Sequence, residues 1–87
     1  SSLQIEVAPS PFTDYFDIRM VIPQGLSFQL ELCDVSGKVL RTIARNHTSS
    51  NDFYQQKIDG GDLAAGMYLL SGFIGEERIQ KQIVKVD

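Results

Sequence analysis

Very few side chains in this chain could do covalent chemistry. The one histidine, His47, stands in the polar run Arg45-Asn46-His47-Thr48-Ser49-Ser50, where a Ser–His–Asp arrangement is conceivable. A triad needs a base held rigidly against its nucleophile and a pocket that excludes water, and these hydroxyls read instead as turn residues. Asn46-His47-Thr48 fits the glycosylation acceptor pattern, a frequent chance match, and is read as loop. Asp59 and Asp62 flank Gly60-Gly61, but a calcium loop gathers about six or more oxygens at fixed offsets, so a plain turn is expected. Zinc finds no Cys/His cluster. Cys33 is the single cysteine, with no partner for an intrachain disulfide and no basic neighbour to lower its pKa; it reads as a small apolar residue. The expectation is a non-enzyme with no catalytic residue, cofactor or metal.

Recognition is the remaining chemistry, and it points to the last segment, Lys81-Gln82-Ile83-Val84-Lys85-Val86-Asp87, which sets lysines among β-branched residues up to the last position. Free ends fray, so Ile83, Val84 and Val86 need a sheet or a partner to cover them. Lys81 and Lys85 share a face in a regular strand. They either blunt a sheet edge against aggregation or are read by a receptor, by strand addition or through the lysines and a free carboxylate.

Eight basic against eleven acidic residues give a net charge of −3 with no basic cluster, which argues against nucleic-acid binding. No segment approaches the roughly 18 apolar residues of a membrane span. Ser1-Ser2-Leu3-Gln4 has no signal-peptide character and no initiator Met, so residues 1–87 are expected to be one domain cut from a longer chain, the rest of which lies before residue 1. A domain of 87 residues buries only about 60–65% of its unfolded surface, which implies a thin core.

Period-2 alternation dominates and no long window holds a helical period. Leu3, Ile5 and Val7 form a first strand that ends at Pro9-Ser10-Pro11, where two backbone donors are missing. Phe16, Ile18, Met20 and Ile22 mark a second, followed by the Pro23-Gln24-Gly25 turn. Leu26, Phe28, Leu30 and Leu32 face one way and Ser27, Gln29, Glu31 and Cys33 the other. Asp34-Val35-Ser36-Gly37 is a hairpin turn into residues 38–43, and residues 45–52 are expected to be the longest loop. Residues 53–58 form a strand, Asp59-Gly60-Gly61-Asp62 a turn, Leu63-Ala64-Ala65-Gly66 a corner entering residues 67–74, and Gly75-Glu76 a turn into residues 77–86. Ile79 and Ile83 are out of phase with Val84 and Val86, which calls for a bulge or two-sided burial. About seven short antiparallel strands at even spacing predict an all-β, immunoglobulin-like sandwich, whose edges could support a weak dimer.

Four segments, in order, resemble the type A C-terminal sorting domain of the type IX (Por) secretion system of Bacteroidetes. Pro9-Ser10-Pro11-Phe12 resembles its opening P-N-P-F turn, with Ser10 in place of the usual Asn. Asp34-Val35-Ser36-Gly37-Lys38 is similar to its D-x-x-G-K hairpin, Leu63-Ala64-Ala65-Gly66-Met67-Tyr68 to its L-x-x-G-x-Y corner, and Lys81-Gln82-Ile83-Val84-Lys85 to its terminal K-x-I-V-K strand. The resemblance implies a secreted protein that crosses the periplasm, is recognised by an outer-membrane translocon, and loses this domain to a sortase-like peptidase so that the cargo is released or anchored at the cell surface. Lys81, Ile83, Val84, Lys85, Pro9, Pro11, Phe12 and Lys38 are the expected recognition residues. Asp34, Gly37, Leu63, Gly66 and Tyr68 are the expected scaffold, with Tyr68 bonding backbone as tyrosine corners do. A rival reading is an immunoglobulin-like spacer or carbohydrate-binding module. With no Trp, its binding face would fall to Tyr15, Tyr54 and a few other aromatics.

Overall fold

The computed structural model describes residues 4–48 and 52–87; Leu3, Ser49 and Ser50 lie outside the described residues. Seven strands follow one another: β1 (Gln4–Ala8), β2 (Tyr15–Val21), β3 (Ser27–Asp34), β4 (Val39–Thr48), β5 (Phe53–Asp59), β6 (Gly66–Ile74) and β7 (Glu77–Lys85). They form two antiparallel sheets, β1-β2-β5 and β4-β3-β6-β7, packed face to face. This is the expected immunoglobulin-like sandwich.

Alternation decides which side chains meet between the sheets. Phe16, Ile18 and Met20 of β2 face Phe28, Leu30 and Leu32 of β3 and Leu70 and Ile74 of β6, and all are buried. Each such burial contributes about 1.5–3 kcal/mol before conformational entropy is set against it. Ile58 and Ile83 bring β5 and β7 into the same core, and Phe12 and Ile22 enter it from outside the strands.

Two expectations are corrected. The polar run from Arg45 is not all loop, because β4 continues to Thr48, pairing His47 with Phe28 and Thr48 with Ser27. An edge strand needs partners on one side only, so polar residues are tolerated there. Register shifts let β4 curl along β3, and Asn46 takes the positive φ (49°) that such a bulge requires. The last strand ends at Lys85 rather than Val86. It keeps an unbroken register with β6, so of the bulge or two-sided burial expected there the second is found: Ile83 is buried between the sheets and Val84 half-buried on the other face.

Candidate recognition surface

Two prolines set the geometry at one end of the sandwich. Pro9 and Pro11 have no N–H to continue the β1 ladder, so the chain leaves sheet one and crosses toward sheet two. Phe12 donates its N–H to the Val84 carbonyl (2.9 Å), and its own carbonyl accepts the Val86 N–H (2.9 Å). The result is a one-residue parallel bridge between Phe12 and Lys85, on the outer edge of β7. The Phe12 ring turns inward, 4.9 Å from the Phe16 ring centroid, and is 1% exposed.

The hairpin after β3 lies at the same end. One Asp34 carboxylate oxygen accepts the Ser36 N–H (2.9 Å), the Ser36 hydroxyl (2.6 Å) and the Lys38 N–H (3.0 Å), while Gly37, at φ +92°, donates its N–H to the Asp34 carbonyl. The Ser36 hydroxyl, then the Lys38 amide, hold the Asp34 carboxyl below the usual carboxylate range. These contacts close the tight turn that its sequence predicts.

The corner before β6 completes the group. Leu63 donates its N–H to the Gly60 carbonyl (3.1 Å), and Gly66 takes φ +152°, a value L-residues rarely adopt. The Tyr68 hydroxyl donates to the Ala64 carbonyl (2.5 Å), which is the expected tyrosine corner. Asp34, Tyr68 and Ile83 then stand side by side across β3, β6 and β7, and Gly66 pairs with Lys85, which is bridged to Phe12. All four motif segments therefore meet at one end of the sandwich. Residue 4, opposite Val21, starts β1 at the other end.

A profile described as the secretion system C-terminal sorting domain matches residues 6–86. The chain belongs to this family. The family is the C-terminal sorting signal of type IX secretion, which directs proteins through the outer membrane to the cell surface. No curated protein and no solved structure matches the chain.

In this sorting domain the eight expected recognition residues divide into two groups. Pro9, Pro11, Lys38 and Lys81 are exposed and Val84 is half-buried, whereas Phe12, Ile83 and Lys85 are buried. Lys81 and Lys85 do share a face, together with Ile83, but their surroundings differ. Lys81 pairs with Leu70, part-way along β7 and about 13 Å from Lys85. Lys85 is only 5% exposed; its ammonium donates to the Val86 carbonyl (3.3 Å) and lies 3.8 Å from the exposed Asp87 carboxylate.

Two contributors were not visible in the sequence. Gly60 was legible only as a turn residue, yet it supports the Phe12 ring so closely that a Cβ there would fall 2.6 Å from it. Arg41 of β4 reaches across to the same turn, donating to the Asp59 carbonyl and pairing with Asp62 (3.2 Å). Asp59 in turn accepts the Gly61 N–H (3.2 Å), so both turn carboxylates have protein partners.

Of the remaining candidates, Tyr15 is exposed, with the Lys57 ammonium 4.0 Å from its ring centroid, while His47, Tyr54 and Cys33 take packing roles. The His47 ring lies 5.0 Å from Phe28 and 5.6 Å from Tyr54, centroid to centroid. Tyr54 is half-buried against these rings, and burial raises the pKa of its hydroxyl. The pKa of the buried Cys33 thiol is also pushed up, first by desolvation and then by Glu31 and Asp34.

Proposed function

We propose that this domain is a non-catalytic export signal read by the type IX translocon while folded, and then separated from its cargo by a sortase-like peptidase acting on its N-terminal side. The cargo precedes the domain in the same polypeptide, crosses the periplasm with it, and is released or anchored at the cell surface. Pro9, Pro11, Lys38, Lys81 and the outer side of Val84 make the contacts with the machinery, and Phe12, Ile83 and Lys85 hold those contacts in place. The observation that carries this reading is the Phe12–Lys85 bridge, which joins the opening turn of the family pattern to its closing strand within a match over residues 6–86.

The test is a reporter with an N-terminal export signal fused to residues 1–87 and expressed in a type IX-competent bacterium, beside a fusion lacking Lys81–Asp87. The intact fusion is expected at the surface or in the medium and the truncated one in the periplasm. Retention of the intact fusion, or equal export of both, would reject the proposal.

A further inference from the structure

The Phe12 bridge shows which part of the β7 edge is taken and which is open. Val84 and Val86 direct their backbone groups outward to Phe12. Successive residues of a strand alternate in hydrogen-bonding direction, so Arg78, Gln80 and Gln82 also point theirs away from β6. β7 is the last strand of its sheet, and among the described residues no strand pairs with this edge between Arg78 and Gln82. Phe12 demonstrates that the edge accepts a strand, and its presence blocks the end that a receptor would otherwise use.

The open stretch also carries a charge. Arg78-Ile79-Gln80-Lys81-Gln82 holds two cations and no acid in a chain of net charge −3, with Glu76 and Glu77 beyond it at the hairpin. Arg78 and Lys81 project from opposite faces of β7, Lys81 with Ile83 and Arg78 with Val84, so the open edge offers one cation on each face. An extended segment bearing acidic side chains meets both requirements, backbone groups for the edge and carboxylates for Arg78 and Lys81.

We infer that the Arg78–Gln82 edge of β7 is a docking site for an extended acidic segment of the export machinery, bound by strand addition beside the Phe12 bridge. This rests on the reading of the chain as a sorting signal, and it names how and by what chemistry the signal is held. Proline at position 80 removes an outward N–H without touching the β6 ladder, as edge strands allow. Gln55 of β5 is its control: Gly60 bonds Asp14, and Ile22 bonds Asp52, so the even-numbered residues of β5 face β2 and the Gln55 N–H faces an outer edge.

The experiment measures export of the reporter fusion carrying Gln80→Pro, Gln55→Pro or the pair Arg78→Glu/Lys81→Glu, with the melting temperature of each purified fusion. Export is expected to fall about tenfold or more for Gln80→Pro and for the charge reversal, the order of one lost hydrogen bond or ion contact to a charged partner. Gln55→Pro is expected to export normally. Normal export of Gln80→Pro, or equal losses for both proline variants, overturns strand addition at β7; normal export of the charge reversal overturns the acidic partner. In each of those cases the fusion lacking Lys81–Asp87 remains unexported if the chain is nonetheless a sorting signal, so the two readings fail separately.

Discussion

Gly60 lies so close to Phe12 that a Cβ on it would stand 2.6 Å from the ring's Cε2 and 3.3 Å from the Leu63 side chain. The D-G-G-D turn is thereby part of the end of the molecule that presents the terminal strand, although it belongs to none of the four motif segments. Gly60→Ala must displace Phe12 or the turn and is expected to cost about 1–3 kcal/mol, as overpacking does. At Gly61 the nearest atoms are 3.6 Å away, and Gly61→Ala is expected to change stability by no more than about 0.5 kcal/mol. Thermal unfolding of the pair tests this, with a drop for Gly60→Ala of about 4–8 °C per kcal/mol in a domain of this size.

Asp34 makes hairpin stability depend on pH. Its folded-state pKa is depressed, first by the Ser36 hydroxyl and then by the Lys38 amide. The carboxylate therefore stabilises the fold at pH values above its unfolded pKa, about 3.9, and that contribution is lost as pH falls through the lower folded value. Asp34→Asn is expected to melt lower than wild type at neutral pH, with the gap closing as pH drops below about 4. A gap that stays constant down to pH of about 2 would mean that the charge is not what stabilises the turn.

Tyr68 joins the corner to the sheet through one hydrogen bond to the Ala64 carbonyl. Tyr68→Phe keeps the ring and removes the hydroxyl, for an expected loss of about 0.5–1.5 kcal/mol. Denaturant unfolding with an unchanged slope and a lower midpoint would fit that outcome.

Lys85 is buried, with Asp87, an exposed carboxylate, as its ionic partner. Burying an ammonium for so weak a return suggests that Lys85→Met is neutral or stabilising, by up to about 1 kcal/mol. Amide exchange at Val86 should be as slow in this variant as in wild type, because the Phe12 bridge is made by backbone and survives the change. Faster exchange at Val86 alone would show that the ammonium, and not the bridge, ties down the chain after β7.

The strands and turns of this protein follow from local physics and were legible residue by residue. Alternation in Phe16–Ile22 and Leu26–Leu32 assigns a buried face whatever the partner, and Asp34, Gly37 and Gly66 fix turns through bonds and φ values that involve only near neighbours. The polar end of β4 left no trace because Arg45-Asn46-His47-Thr48 has no apolar alternation to declare a strand; its pairing with Ser27 and Phe28 is a backbone matter.

Composition and alternation in the sequence determined an all-β sandwich and the presence of a lysine-bearing last strand. Only the tertiary structure decided that Phe12, from the opening turn, sits on the edge of that strand, that Lys85 is buried while Lys81 is exposed, and that Gly60 supports the junction. The reason is physical: a hydrogen bond between residues near opposite ends of a chain leaves no periodic trace in either segment, since it depends on how two sheets stack and not on what neighbours each residue along the backbone.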